Sequence, residues 1–333
     1  MILEDLGPTY IKIGQIMSLH SDILPKRYCD ELMCLRSEVT PMEFPEVKEV
    51  IEQAYGCPWN EIFAFISDTP LGSASIAQVH RAELLSGEQV VIKVQRTGIY
   101  EIMARDIGLL RKAVKLMPPI SLKGMADFDQ VLDELWNVTR EEMNFLTEAS
   151  NMEEFARRNA DVVYVRTPKL YQEYTTMHVL VMEYIEGIPI DQIQTLEAMG
   201  YDMTEIGEKL ADNYCKQIFD DAFFHADPHP GNIWIRDGKI VWLDFGMMGR
   251  LTARDKSLFR QAIAALANRD VYELKNVILT LGVVKGKVNH TRLYTDLDDF
   301  VTRYGDLDLG SLNMGQLLEE LMDLAKTNGI YLP

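Results

Sequence analysis

The stretch "FFHADPHPGNIWIRDGKIVWLDFG", residues 223–246, holds three carboxylates, two histidines and an asparagine. Asp227 is followed five residues later by Asn232, with two prolines and a glycine stiffening the backbone between them, and Asp244 opens the closing D-F-G. Magnesium takes oxygen ligands in octahedral geometry, usually one or two carboxylates completed by phosphate oxygens and water. An Asp and an Asn at adjacent strand ends supply such ligands, and a second Asp nearby orients a nucleophile. The spacing therefore points to phosphoryl transfer, with Asn232 and Asp244 as the metal ligands. Singly, each residue is an ordinary loop former; His225 and His229 read as structural.

The elements that must carry these residues are two short strands, Ile233–Ile235 and Ile240–Leu243, joined by an Asp237-Gly238 turn. Upstream, residues 75–96 are rich in β-branched side chains around Ser86-Gly87 and read as a β-hairpin, with "VVIK" ending a strand at Lys93. Residues 165–187 read as two more strands ending at a glycine. Residues 9–66, including "WNEIFAFI", read as helical, as do 99–117, 127–158, 191–221 and 253–327. Segregated helices and strands of this kind predict an α+β fold, with a natural boundary near Gly187.

Composition narrows the partners. The 333 residues carry a formal net charge of −18, with 47% hydrophobic and 25% charged residues. That balance excludes a nucleic-acid partner, because nothing could neutralise a row of phosphates. It also argues against docking on an anionic membrane through a polybasic patch. A phosphate site must be built locally from a few lysines, a metal or backbone N–H groups. The four cysteines include no C-x-x-C pair, which sets zinc aside. Without a basic n-region followed by an apolar run, and without an apolar stretch of about 20 residues, the expected setting is reducing and cytoplasmic.

D-x-x-x-x-N, a two-strand hairpin and D-F-G stand in the order and spacing of the catalytic and metal loops of protein kinases. On that resemblance Lys93 takes the place of the phosphate-binding lysine, and Glu148 in "FLTEASNMEEF" that of its helical partner. Met182, Glu183 and Tyr184 in "VLVMEYIEG" take the place of the hinge that holds adenine by backbone hydrogen bonds. Lys93 and Glu148 lie 55 residues apart, more than a lone helix requires, so a helical insert is expected at about 99–128. No G-x-G-x-x-G precedes Lys93; Gly72, Ser73, Ala74 and Ser75 in "PLGSASIAQVH" stand there instead. No A-P-E follows D-F-G, so the open peptide-docking surface of a protein kinase is expected to be missing.

With "KIGQ" (Lys12–Gln15) in "LGPTYIKIGQIMSLHSDILP", "SASIAQVHRA" and "EEMNFLTEA", the whole chain resembles the UbiB/AarF family of atypical protein-kinase-like (ADCK-type) proteins. The resemblance implies a bilobal kinase-like fold with a helical K-x-G-Q extension over the cleft at 1–66. A kinase-like N-lobe would follow at 67–186, then a mainly helical C-lobe at 187–333. It assigns Lys12 and Gln15 to the cleft, with Glu142 as the partner of Lys12. Glu142 and Glu148, six apart on one helix, would point about 120° away from each other and so serve two lysines. Asn144 stands where the family's E-x-D has Asp. Gly72 and Ser73 replace alanines of the alanine-rich loop, and Gly72 would loosen it and shift the preference between ATP and ADP. Members usually extend past both ends, often with C-terminal membrane-spanning helices, which leaves room for membrane association of the full-length protein.

The function implied is a Mg²⁺-dependent ATP-binding (or ADP-binding) enzyme, an ATPase or a small-molecule or lipid kinase rather than a protein kinase. It would serve isoprenoid-quinone lipid biosynthesis, with a quinone-precursor lipid and quinone-biosynthesis proteins as partners. Lys93, Glu148 and Asp227 would be catalytic. A nucleotide-gated scaffold or lipid chaperone is the alternative from another class. An aminoglycoside- or choline-kinase-like enzyme shares the loops but leaves "KIGQ" unexplained.

Overall fold

The computed structural model of the protein describes residues 7–18, 26–33, 40–116, 128–284, 287–305 and 314–332. The chain divides into two compact units, Met1–Ala211 with His225–Met248, and Asp212–Phe224 with Gly249–Pro333. The residue 223–246 hairpin thus belongs, from His225 onward, with the first.

The first unit opens with α1 (Pro8–Ser18), α2 (Lys26–Met33) and α3 (Phe44–Tyr55). A reciprocal pair between Glu43 and Glu46 caps the start of α3, and Gly56 at φ +70° ends it, a left-handed residue that costs glycine little. An antiparallel sheet follows: β1 (Phe63–Ile66), β2 (Gly72–Ser73), β3 (Ala77–Leu84), β4 (Gln89–Gln95) and β6 (Val179–Glu183), in the order β1-β3-β4-β6 with β2 on β3. "FAFI" is therefore a strand and not the end of a helix. Only Phe63 and Ile66 of its four residues are buried, and Phe63 pairs with Leu84 across a bulge. In four residues the ladder partner outweighs any local periodicity.

Phe63, Ala82, Leu84, Ile92, Val94, Val179 and Val181 form the core under this sheet, closed by Val47 and Ile51 of α3. After α4 (Ile99–Leu116) and α5 (Phe128–Glu142), helix α6 (Phe145–Arg158) packs Phe145 and Ala149 on Ala77 and Leu180, on the other face of the sheet. The stretch read as one helix over 127–158 breaks at Met143–Asn144. Asn144 N-caps α6 by accepting from Leu146 N–H at 3.1 Å, and Gln95 donates to Met143 O at 2.9 Å. The angular argument for Glu142 and Glu148 on one helix thus falls, because they sit on two.

A second sheet runs β5 (Val165–Arg166), β9 (Lys239–Trp242), β8 (Ile233–Arg236), β7 (Ile188–Pro189), with β5 parallel to β9. The 191–221 stretch contains α7 (Ile193–Ala198) and α8 (Met203–Cys215), parted at Gly200, φ +88°.

The second unit packs α9 (Ala253–Ala267), α10 (Val271–Leu281), α11 (His290–Gly305) and α12 (Met314–Thr327) around Leu274, Ile278, Leu293, Leu297, Phe300 and Leu317. The tail read as wholly helical also contains a short ladder, β10 (Val283–Val284) on β11 (Ile330–Tyr331). No helix among the described residues is long and apolar enough to cross a membrane.

Candidate functional site

The β8–β9 hairpin turns at Asp237-Gly238, both at positive φ (51° and 73°), the type I′ geometry that matches strand twist. Its register sets Ile233 opposite Trp242, and Leu243 N–H donates to Asn232 O at 2.8 Å. Asn232 and Asp244 consequently emerge at the same end. Asn232 spends its Nδ2 on Asp227 O (3.1 Å), which directs Oδ1 away from that loop backbone. A Cβ at Gly231 would lie 2.6 Å from Cε1 of the His229 ring, so a larger residue there would displace that ring. That ring accepts from Gly231 N–H at Nδ1 (3.0 Å), so its Nε2 carries the proton, 3.8 Å from Asp227 Oδ2.

His225 is fully buried and holds the loop from within. Its Nδ1 accepts from Asp227 N–H (3.3 Å), so Nε2–H donates to Leu243 O (3.0 Å). Asp244 has φ +52°, a conformation that costs a non-glycine residue free energy and occurs where surrounding structure imposes it. Its Oδ1 accepts from Gly246 N–H at 3.1 Å.

Lys93 and Gln95 share one face of β4, as alternate strand residues must. Lys93 Nζ lies 2.9 and 3.1 Å from the Glu148 carboxylate, and 3.3 and 3.4 Å from that of Asp244. Glu148 is 6% exposed, whereas Asp244 is 49% exposed and open to a ligand. Burial disfavours the charge on Lys93, yet the neighbouring Asp244 and Glu148 outweigh it and hold its pKa above the usual lysine value. Burial raises Glu148, to about 7, against the pull of Lys93. Burial also works against the charge on Asp244, but Lys93 and the Gly246 N–H prevail and lower its pKa.

Two carboxylates facing one ammonium leave the site with a net negative charge that a cation would offset. The donors open to a ligand, Asp244 and Asn232, are hard oxygens, which fits Mg²⁺. Among the described residues no group of three or more His, Cys, Asp or Glu could hold a metal alone. The ion's shell would therefore need phosphate oxygens and water.

The loop before β3 is held by Arg96. Its Nε donates to Ala74 O (2.8 Å), and its Nη2 to Ser73 Oγ (2.7 Å) and Thr40 O (2.9 Å). Gly72 has room for a Cβ and no left-handed φ, so what it adds is backbone freedom. Ser75 is buried.

Met182 is a ladder residue opposite Val91. The N–H groups of Glu183 and Tyr184 already donate to Lys169 O (2.8 Å) and Gln89 O (3.1 Å), and Arg166 grips the Glu183 carboxylate. The Glu183 and Tyr184 N–H groups are thus engaged within the fold, so any donor to adenine would come from the next amide, Ile185, which has no backbone partner among the described residues.

Lys12 on α1 meets Glu142 at the end of α5 at 2.6 Å, and Thr9 donates to Asp106 of α4 at 2.8 Å. Ile13 packs between them against Ile107, Leu132 and Leu135. Burial raises the Glu142 pKa against the pull of Lys12, and the charges of Asp244 and Lys93 also reach it. Gln15 lies on α1, but its side chain is outside the described residues. Sequence reasoning passed over Arg96, Gln95 and Asn151; a polar residue at a position whose neighbours are buried was the available signal.

Residues 34–278 match the model of the ABC1 atypical kinase-like domain. An uncharacterised Clostridium pasteurianum protein, from the 5′ region of hydrogenase 1, is 39% identical over 330 residues, covering 99% of this chain and 62% of that one. An uncharacterised Synechocystis protein is 33% identical over all of this chain and 84% of its own length. A Marinobacter nauticus protein named probable protein kinase UbiB is 32% identical over 98% of this chain and 61% of that one. The chain thus spans about three-fifths of the first and third. Among solved structures, Mycobacterium tuberculosis Rv3197, in complex with erythromycin, shares 25% identity with a TM-score of 0.61 over 92% of this chain and 77% of that one.

Proposed function

The chain belongs to the ABC1 atypical kinase-like family, and from that premise we propose that it is a Mg²⁺-dependent ATP-binding atypical kinase or ATPase. The observation that carries this reading is the convergence of Lys93 on both Glu148 and Asp244, with Asn232 at the same strand end. Lys93 would contact the α/β-phosphates, held in place by Glu148. Small side chains at 72–75 would let the backbone approach the phosphates, and Ile185 N–H would meet adenine. Asp227 would orient the attacking hydroxyl or water. Asp244 and Asn232 would hold the magnesium, which supplies neutralisation of phosphate charge. A role in isoprenoid-quinone lipid biosynthesis is supported by the UbiB name of one relative. The three-part division belongs to the same proposal, with its first boundary moved ahead of Phe63, because β1 pairs into the sheet.

Asp244→Asn tests it. Mg-dependent nucleotide binding, followed by calorimetry, and phosphate release should both fall by at least about 100-fold, the loss of a charged metal ligand. Undiminished binding and release in a folded variant would remove the reading.

The nucleotide-gated scaffold remains the second reading, supported by the Lys12–Glu142 pair, whose carboxylate feels the charges of Asp244 and Lys93. On that reading Asp227→Asn keeps the cellular role, whereas loss of nucleotide binding abolishes it.

A further inference from the structure

Helix α6 reaches the D-F-G segment through more than Glu148. Asn151, 9% exposed, donates from Nδ2 to Phe245 O at 3.1 Å. One turn earlier, the Glu148 carboxylate accepts from Phe245 N–H. One turn later, the Phe155 ring packs on that of Phe245 with centroids 5.1 Å apart, and His225 meets the same ring edge-on at 5.9 Å. Positions 148, 151 and 155 share one helix face. Both backbone groups and the ring of Phe245, itself 1% exposed, are therefore held by a single face of α6.

Phe245 directly follows Asp244, whose positive φ must be imposed from outside. The peptide between them can turn only if Phe245 turns. A grip on the N–H alone, through Glu148, would leave the far side of Phe245 free to rotate about its ψ. The Asn151 bond closes that freedom, and the next amide, Gly246 N–H, is then aimed at Asp244 Oδ1.

We propose that Asn151 is a positioning residue that fixes the carboxylate of Asp244 in its metal-facing setting by holding Phe245 O. The inference rests on the reading of Asp244 as a metal ligand. It makes the D-F-G setting a property of α6, through the hold of Asn151 on Phe245 O.

The test uses the full chain with Asn151→Ala and Asn151→Asp, the second placing an acceptor of equal size against the carbonyl. NMR-detected amide exchange of the nucleotide-free protein should be about 10-fold or more faster at Phe245 and Gly246, the worth of one buried hydrogen bond, with protection elsewhere on α6 retained. A Mn²⁺ titration by electron paramagnetic resonance, with ADP present, should show its midpoint raised by about the same factor. Metal-free ADP affinity should change less than about 3-fold. Unchanged exchange at Phe245 and Gly246, an equal rise along all of α6, or an unmoved Mn²⁺ midpoint overturns the proposal. If either variant fails to fold, Asn151→Ser, smaller but still able to donate, is judged on the same readouts. Should the wild type bind no metal–nucleotide at all, the reading of the site fails, while the exchange data still decide the hold of Asn151 on Phe245.

Discussion

Lys93 divides one positive charge between two carboxylates, and that sharing sets how the site responds to mutation. Glu148 is buried and depends on Lys93, while Asp244 is half exposed and also accepts from Gly246 N–H. In Lys93→Met, Glu148 loses its counter-charge and its pKa rises beyond about 7. A carboxyl raised in the folded state contributes stability that is full below its unfolded value of 4.5 and is lost as pH rises through the folded value. Lys93→Met should therefore be close to wild type at pH 5 and clearly less stable at pH 8, measured by urea denaturation. Equal destabilisation at both values would mean that Glu148 does not titrate there.

At the scale of elements, two side-chain networks join α3 and its approach to the strands that carry the site. Gln78 and His80, alternate residues of β3, are both fully buried. His80 Nδ1–H donates to Ser67 O (2.7 Å), so its Nε2 accepts from Gln78 Nε2 (2.8 Å), while Gln78 Oε1 accepts from Met42 N–H (2.7 Å). A second proton on His80 would face a donor, and burial lowers its pKa from 6.5 despite Ser67 O and the nearby Asp68. A depressed histidine contributes stability that is full above pH 6.5 and lost as pH falls through the lowered value. Between pH 7.5 and 5.5, wild type should lose stability relative to His80→Gln; parallel curves would remove His80 as the cause. The other network is the Arg96 grip on Ser73, Ala74 and Thr40. Arg96→Ala should weaken ADP binding about 3- to 10-fold by calorimetry, because the freed loop must then be ordered on binding. Unaltered affinity would mean that the loop is not preorganised.

For the whole molecule, the formal charge of −18 makes self-repulsion a general destabilising force. Raising salt from 0.05 to 0.5 M should raise the melting temperature, since salt screens exposed charges but hardly touches buried pairs such as Lys93–Glu148. A falling melting temperature would show that exposed ion pairs outweigh the repulsion.

Asp227, Asn232 and Asp244 were legible in the chain because a hairpin is local: a two-residue turn fixes register, and register fixes which side chains emerge together. Lys93 was legible as a strand residue, although its strand runs two residues further, to Gln95, because β3 pairs with that extension. The identification of "FAFI" as a strand, the break at Met143–Asn144 and the tail ladder at 283–284 were not, since each depends on a partner far along the chain. The sequence by itself determined the α+β class and the order of the candidate site residues, both of which follow from residue type and short spacing. Only the tertiary structure decided that Glu148 meets Lys93 across 55 residues, that the Glu183 and Tyr184 amides are engaged, and that one face of α6 holds Phe245. Contacts between distant segments are fixed by packing and by the need to satisfy buried polar groups, and neither is written in any local pattern.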